Sequence, residues 1–369
     1  MVIKTNGLIK RMSIIFLIIL IAIVILLFPA CKNMLFSMLP RPQDPKDRPY
    51  MIKEVSFPGA SDEVTLSGEL TMPNKGASFP AIILIAGSGP YDRNENISGH
   101  KILLVLSDYL TRRGYAVLRY DKRGIGKSSG DYKNSTIKDF AADAAAALCW
   151  LKTDPNVDST RVGYMGHSSG GYVAPLAAQE ETATFIVLLA SPAEGLGDTL
   201  IRQNEDIAHA QGKDDAWIQL HQTWIHEFID IFRSATDPNE AHKQADVAYT
   251  KYQKELGLPK NELNNFLAVL PPAWIIWALQ YDPLPALDAY NGPVLAMFGG
   301  RDLQVSASRN APIMKEMLIN NNSNVVIFPT LNHLFQPAKT GAPEEYVSIE
   351  TTFDENAMIV IADWLDDIE

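Results

Sequence analysis

The feature that most constrains the fold is the pentapeptide G-H-S-S-G at residues 166–170. It matches G-x-S-x-G, in which small residues two positions before and after a serine let a strand turn sharply into a helix. Residues 162–165 predict the buried strand, and residues 172–178 predict the helix that follows. Ser168 would then stand exposed on the turn. Because a serine hydroxyl is a weak nucleophile at neutral pH, this interpretation requires a histidine base, an acid that orients it and amides that bind an oxyanion.

Composition describes an ordinary globular chain of 369 residues, 47% hydrophobic and 20% charged, with enough apolar content for a sizeable core. It has 32 Lys and Arg against 43 Asp and Glu, a net charge of -11, which argues against nucleic acid as a partner. The two cysteines, Cys31 and Cys149, exclude a disulfide framework or a thiolate metal site. The apolar run around Cys149 predicts that this side chain is buried.

The pattern at residues 1–31 predicts a membrane-targeting or membrane-anchoring segment. Three basic residues precede an uncharged apolar run at residues 13–28, which fits either an export signal or a single membrane anchor. The basic flank predicts an N-terminus inside and the remainder outside the cytoplasm. Residues 28–31, F-P-A-C, loosely resemble the bacterial lipoprotein box, in which Cys31 would be lipidated. We therefore expect an exported protein, held at the membrane of a bacterial cell envelope by an uncleaved anchor or by a lipid.

After a proline-rich, charged linker at residues 32–50, residues 51–369 predict one α/β domain. An antiparallel pair opens it, and continuous apolar runs typical of strands buried on both faces of a parallel sheet then alternate with helical patterns. From about residue 195 to 285 the alternation stops, and an amphipathic helical pattern predicts a cap inserted over the carboxyl edge of the sheet. The predicted parallel strands lie at residues 80–86, 116–121, 162–165, 185–191, 293–300 and 324–328.

A glycine-rich turn, which includes Gly87, Ser88 and Gly89, directly follows the run at residues 80–86. Such turns leave backbone N–H groups free to point at an anion. We expect the Ser88 amide, or that of its neighbour Gly89, to be one oxyanion donor. The amide of Ser169, just after the nucleophile, would be the second.

The same turn and the serine pentapeptide are expected to form part of the substrate pocket. We assign Gly87, Gly89 and His167 to substrate binding. His167 adjoins the nucleophile on a sharp turn, where neighbouring side chains point apart, so it is interpreted as shaping the pocket and not as the base. Asp92 and Arg93, further along the turn, are expected either to order this loop by pairing or to contact substrate.

The required acid and base follow two later predicted strands. Asp302 comes after the run at residues 293–300, and His333 comes after the run at residues 324–328. With Ser168, this gives the chain order Ser, Asp, His, which is the order of the α/β-hydrolase fold. All three residues stand at the carboxyl ends of predicted parallel strands.

At these residues the chain resembles the α/β-hydrolase superfamily and, within it, bacterial carboxylesterases related to the serine aminopeptidase-like and dienelactone hydrolase-like groups. One departure is Ala86, where many relatives have histidine. The resemblance implies an α/β fold with a mostly parallel central sheet, helices on both faces and a helical cap. The motifs that carry it are G-S-G-P-Y-D-R at residues 87–93, D-K-R-G-I-G-K-S at 121–128, G-H-S-S-G-G at 166–171, G-G-R-D at 299–302 and L-N-H-L-F at 331–335.

The resemblance implies acyl transfer to water, with short to medium acyl esters as small-molecule substrates. Ser168 would be the nucleophile, His333 the base and Asp302 the acid that orients it, without a metal or an organic cofactor. Two alternatives stay open: an aminopeptidase or amidase that uses the same three residues, and a catalytically inactive binding protein of the envelope. The sequence gives no indication of the oligomeric state.

Overall fold

An eight-stranded sheet forms the centre of the computed structural model, which describes residues 41–368. The strand order is β1-β2-β6-β3-β7-β8-β9-β10, and β4 with β5 forms a separate short hairpin. β2 runs antiparallel to both β1 and β6, whereas every pair from β6 to β10 is parallel. The predicted α/β fold with its mostly parallel sheet is confirmed. The strands are β1 (Met51–Pro58), β2 (Thr65–Met72), β3 (Phe79–Ile85), β4 (Asn96–Ile97), β5 (His100–Lys101), β6 (Ala116–Tyr120), β7 (Val157–His167), β8 (Ile186–Leu189), β9 (Val294–Gly299) and β10 (Asn324–Phe328).

Helices cover both faces of the sheet, because side chains of its strands are apolar on both sides. In β3, Ile83 and Ile85 contribute to one core, and Ile82 and Leu84 contribute to the other. Helices α2 and α3 pack in the first core, and α1 and α11 pack in the second. The helices are α1 (Ile102–Arg112), α2 (Ile137–Leu151), α3 (Gly170–Glu180), α4 (Leu196–Ala210), α5 (Asp215–Ser234), α6 (Pro238–Leu256), α7 (Glu262–Val269), α8 (Pro272–Gln280), α9 (Leu284–Asp288), α10 (Ala307–Met317) and α11 (Glu355–Asp367).

The stretch predicted as a cap consists of helices α4 to α9, which connect β8 to β9. Its interior is aromatic. Trp224 of α5 lies with its ring centroid 5.7 Å from that of Phe228 and 5.4 Å from that of Tyr249 in α6, in both cases edge to face. Phe228 in turn meets Phe266 of α7 at 5.7 Å. These rings bury large apolar area and fix the cap helices against one another.

The described residues of the predicted linker contact the domain. The guanidinium of Arg41 is largely buried and donates hydrogen bonds to the carbonyl oxygens of Ser98, Val347 and Ile349, at 2.8 to 3.0 Å. Gln43 also exchanges hydrogen bonds with the backbone of Phe353. Residues 41–50 are therefore fastened to the body of the domain although they contain no helix or strand.

Two predictions concern the membrane and the cysteines. The apolar run at residues 13–28, together with Cys31, lies outside the described residues. Within residues 41–368, no helix is long and apolar enough to cross a membrane. Cys149 is exposed, so the prediction of a buried side chain is wrong. It lies in α2, whose buried face is formed by neighbours such as Leu148 and Leu151, and the helical period turns Cys149 outward.

Buried charges connect the antiparallel edge of the sheet to a loop that follows β3. Arg119 of β6 is 1% exposed and pairs directly with Glu69, its register partner in β2. The same guanidinium donates to the Asn94 side chain at 2.5 Å and to the Arg93 carbonyl at 3.3 Å. Glu69 also binds Arg48. Arg119 therefore fixes residues 93–94 over the end of the sheet.

Replacing Arg119 with methionine is expected to lower the free energy of unfolding by about 1.5 to 3 kcal/mol, because the carboxylate of Glu69 loses one of its two charged partners and keeps Arg48. Urea unfolding followed by circular dichroism measures this loss. The double variant Arg119→Met/Glu69→Met serves as the control and should recover most of the stability, since the buried carboxylate is gone and Arg48, whose side chain is 23% exposed, can be solvated. A single variant as stable as the unmodified protein would contradict the assignment.

Candidate active site

Ser168 stands on a sharp turn between β7 and α3. β7 ends at His167, α3 begins at Gly170, and Ser168 adopts φ +52°, in the left-handed region. A non-glycine residue held there costs about 1 to 3 kcal/mol, and such strain is concentrated at functional sites. The Ser168 amide donates to the carbonyl of Leu189, at the end of β8, over 2.8 Å. The turn is thereby fastened to the neighbouring strand.

Glycines make this turn possible by allowing close backbone approach. A Cβ atom at Gly166 would lie 2.3 Å from the carbonyl oxygen of Gly170, and one at Gly170 would lie 2.5 Å from the carbonyl oxygen of Ile85. Neither obstacle is a flexible side chain, so a larger residue would push the strand and helix apart. The two small residues that define the serine motif are therefore required by the space between β3, β7 and α3.

Asp302 and His333 come together at the same edge of the sheet. Asp302 follows β9 and His333 follows β10, and His333 Nδ1 lies 2.8 Å from Asp302 Oδ2. The other carboxylate oxygen of Asp302 accepts the amides of Gln304 and Val305 at 2.7 and 2.8 Å. The side chains of both Asp302 and His333 are buried. The carboxylate is thus fixed by its own loop and holds the imidazole by one nitrogen, which leaves Nε2 without a partner among the described residues.

A cavity of about 370 Å³ lies between this edge of the sheet and the cap. Ser168, His333 and Ser88 all contribute to its wall, and Ser169 lies there as well. In the described part of the chain, neither the Ser88 amide nor the Ser169 amide donates to a protein acceptor, so both are available to an oxyanion. The structure thus brings the predicted nucleophile, base and oxyanion donors to one cavity.

The predicted substrate residues differ in what they contact. Gly87 lines the cavity, but its amide donates to Glu95 Oε1 over 2.6 Å and is therefore occupied. Gly89 is not part of the cavity wall, and its carbonyl accepts from Lys122 Nζ at 3.0 Å. His167 borders the cavity but is only 1% exposed, and both of its ring nitrogens have protein partners. Because both ring nitrogens of His167 are occupied, this side chain has no free polar atom to offer a substrate.

Arg93 orders the loop through a partner other than Asp92. Its guanidinium forms two hydrogen bonds of 3.0 Å with the carboxylate of Asp121, the residue that follows β6. Asp92 instead accepts the amide of Asn94 at 2.9 Å. The loop after β3 is therefore tied to the end of β6, which is its parallel neighbour in the sheet.

Two residues of this loop region, Glu95 and Lys122, have roles that the sequence analysis does not assign. Lys122 is buried and donates to the carbonyls of Gly87 and Gly89, which frame Ser88. Burial lowers the pKa of Lys122 to about 8, although the nearby Glu95 carboxylate acts in the opposite direction. One signal was present in the sequence: Lys122 lies two residues after the end of β6, at the carboxyl edge of the sheet, where ligands bind in open α/β folds.

No group of three or more His, Cys, Asp and Glu side chains among residues 41–368 is arranged to hold a metal ion. The polar groups at the cavity instead match those needed for nucleophilic acyl transfer: a strained serine, a histidine oriented by a carboxylate, and two free amides.

Sequence comparison shows that this chain is similar to known hydrolases. The family model for X-Pro dipeptidyl-peptidase (S15 family) matches residues 62–265, which is more than half of the chain and includes Ser168 but not Asp302 or His333. The chain is 27% identical over 301 residues to Esterase EstD of Thermotoga maritima. That match covers 81% of this chain and 65% of the esterase, so the chain spans slightly less than two thirds of its relative's length.

Structural comparison yields the same fold. An esterase of Pyrococcus furiosus, Pf2001, superposes with a TM-score of 0.53 at 20% identity, covering 88% of this chain and 93% of that one. The α/β hydrolase GrgF of a Penicillium species superposes with a TM-score of 0.53 at 18% identity, covering 86% of this chain and 98% of that one. At these identities the likeness concerns the fold, and it agrees with the sheet order and crossover helices described above.

Proposed function

Given that the chain belongs to the X-Pro dipeptidyl-peptidase (S15) family and is a carboxylesterase-like α/β-hydrolase, we propose that it hydrolyses carboxylic esters through Ser168, His333 and Asp302. The observation that carries this proposal is the 2.8 Å contact between His333 Nδ1 and Asp302 Oδ2, beside the cavity that Ser168 faces from its strained turn. The similarity to an esterase over 81% of the chain supports an ester as substrate.

The proposed reaction has two halves. His333 Nε2 takes the Ser168 proton as the serine oxygen attacks the ester carbonyl, and the Asp302 carboxylate stabilises the imidazolium that forms. The Ser88 and Ser169 amides donate to the tetrahedral oxyanion, an effect of about 3 kcal/mol per donor. The intermediate collapses as His333 returns the proton to the leaving alcohol. Water then releases the acyl group from the serine through the same histidine.

Ser168→Ala is expected to abolish turnover of p-nitrophenyl acetate and butyrate, because no other group is proposed to form the acyl-enzyme. A fluorescent organophosphonate should label the unmodified protein and should not label this variant. The matched control is Ser308→Ala, which removes an exposed hydroxyl on α10 and should keep both activity and labelling. Unchanged turnover by Ser168→Ala would contradict the proposal.

The family match favours a second candidate, hydrolysis of an amide bond by the same three residues. An X-Pro dipeptidyl p-nitroanilide and simple aminoacyl anilides, assayed beside the esters, separate the two activities. Turnover of an anilide without turnover of any ester would replace the esterase proposal by a peptidase. Failure on every substrate, together with failure of Ser168 to react with the organophosphonate, would favour a binding protein instead.

For substrate size we propose short to medium acyl chains. The catalytic cavity of about 370 Å³ lies at the low end of the range for small-molecule sites. A second cavity of about 190 Å³ lies inside the cap, and Leu200, Gln203 and Phe266 line both cavities. These three side chains form a partition that limits the length of the chain held beside Ser168.

Phe266→Ala is expected to open this partition and to shift preference from short toward longer p-nitrophenyl esters. Each methylene that is newly buried should raise kcat/KM by about fourfold, from about 0.8 kcal/mol per methylene. Val269→Ala is the matched control: it lies on the same helix and lines the catalytic cavity but not the second one, so it should leave the preference unchanged. An identical acyl-length profile for both variants would exclude the partition as the limit.

We further propose that residues 1–31 hold the enzyme at a membrane, outside the cytoplasm. The full chain is expected to sediment with membranes and to require detergent for release. A chain that starts at residue 32 should stay in the supernatant, and it keeps the buried Arg41 that fastens the linker to the domain. Mass spectrometry of the purified full chain separates the two modes, because a lipoprotein would begin at an acylated Cys31 and an uncleaved anchor would keep residues 1–30. A full chain found in the soluble fraction would contradict the proposal.

A further inference from the structure

A buried pair, Glu95 and His167, lies in the wall of the catalytic cavity. Glu95 is 0% exposed and His167 is 1% exposed. Glu95 belongs to the loop after β3, where its backbone adopts φ +50°, in the left-handed region. Its Oε1 atom lies 2.6 Å from the Gly87 amide nitrogen and 3.0 Å from His167 Nδ1. One carboxylate oxygen thus connects the loop that carries Ser88 to the turn that carries Ser168.

The other ring nitrogen of His167 reaches a third segment. His167 Nε2 lies 3.0 Å from the backbone carbonyl oxygen of His333. A carbonyl oxygen accepts hydrogen bonds and never donates them, and an ionised carboxylate does the same. Only an imidazolium carries a proton on both nitrogens, so it alone donates to both partners when Glu95 is ionised. A neutral imidazole would turn one lone pair toward an acceptor.

Charged side chains surround this pair. The ammonium group of Lys122 lies close enough to the Glu95 carboxylate to attract it, and both side chains are buried. Asp302 attracts His167 from the loop after β9, and the rings of His167 and His333 have centroids 5.0 Å apart. Burial opposes the charge on His167, yet the Glu95 carboxylate outweighs it, so the pKa of His167 is raised above its ordinary 6.5.

We propose that Glu95 and a protonated His167 are positioning residues, which together hold the oxyanion loop and the His333 loop against the turn of Ser168. The carboxylate fixes the Gly87 amide and hence the neighbouring Ser88 amide. The imidazolium, one residue before the nucleophile, fixes the carbonyl of the residue that supplies the base. Both side chains act through their neighbours and touch no substrate. The inference rests on the proposed hydrolysis only for its kinetic test.

The arrangement has a defined pH dependence. Because the pKa of His167 is raised in the folded protein, its charge contributes fully below about pH 6.5 and the contribution is lost as pH rises through the folded value. We expect the pair to loosen on the alkaline side. Lys122, with a pKa of about 8, also faces this region and would bind its two carbonyls more weakly as it loses its charge. The two groups must therefore be followed separately.

Nitrogen-15 NMR of histidine-labelled Ser168→Ala protein tests the charge without any substrate. This variant keeps both Glu95 and His167, and the His167 signals are assigned by their loss in Ser168→Ala/His167→Gln. Two protonated ring nitrogens on His167 at pH 7 are expected. A neutral His167 at pH 7 would overturn the proposal, whether or not the protein hydrolyses esters.

Kinetics test the positioning role. Glu95→Gln keeps the shape of the side chain and removes its charge, so kcat for p-nitrophenyl butyrate should fall by about 10- to 100-fold with little change in KM. The alkaline limb of the kcat profile should move to lower pH, because His167 loses the carboxylate that holds its proton. Asp143→Asn is the matched control, since it removes one charge from another buried pair, with Arg123. It should lower stability and leave the pH profile unchanged.

The outcomes separate this inference from the proposed function. If Glu95→Gln and Asp143→Asn lower stability alike and both keep the unmodified kcat and pH profile, Glu95 is merely structural and the proposal is overturned. If Glu95→Gln does not fold, the NMR measurement on Ser168→Ala decides. If no ester is hydrolysed by the unmodified protein, the proposed function fails while the charge of His167 is still determined.

Discussion

The left-handed backbone of Ser168 is the constraint on which the rest of the site depends. A residue at φ +52° is held only if its surroundings fix it, and here the fixing groups come from three strands. The amide of Ser168 binds the end of β8, Gly170 packs against the backbone that ends β3, and Gly166 closes against α3. The strain is small beside the stability of a sheet core buried on both faces. Ser168, the proposed nucleophile, is therefore held at a fixed point without a loop of its own.

Buried charges then align the other loops with that fixed point. Arg119 fixes the residues next to Arg93, Arg93 fixes Asp121, and Lys122 fixes the carbonyls on both sides of Ser88. Each of these cations binds backbone or carboxylate oxygen at the carboxyl edge of the sheet, where irregular chain would otherwise leave polar groups unsatisfied. Positively charged side chains thus bind the polar groups of the loops, as the hydrogen bonds between strands bind those of the sheet. The acidic net charge of the whole chain gives no hint of this local arrangement.

How far the sequence predicts the molecule depends on whether a residue's role is local. The sheet, its antiparallel opening and the helical character of residues 195–285 follow from apolar periodicity, and the structure agrees with those patterns. Ser168, Asp302 and His333 were predicted as site residues because each follows a strand within a few positions, and the carboxyl ends of parallel strands share one edge. Glu95 was missed since its partner, His167, lies 72 positions away, and only the folded loop brings them together.

Cys149 is a second residue whose environment depends on distant parts of the chain. An apolar run predicts burial for every member, but a helix buries one face, and the phase of that face is set by what packs on it. The predicted pairing of Asp92 with Arg93 failed for a similar reason, since Asp121, brought close by the β3–β6 pairing, offers two oxygens in the fork geometry that a guanidinium prefers. In both cases, residues distant in the sequence determine which side chain is buried and which carboxylate pairs with Arg93.

The position of the cap explains how the proposed limit on acyl length is compatible with this alignment. β8 and β9 are parallel neighbours, with Ile186 opposite Val294, so the chain must in any case leave one edge of the sheet and return to the other. Helices α4 to α9 occupy that obligatory crossover. Their first residues stand above the carboxyl edge, where Leu200 meets the catalytic cavity, and their last residues descend toward the start of β9. Changes in the cap can therefore alter the partition at Phe266 while the strand ends that carry Ser168 and Asp302 stay in register.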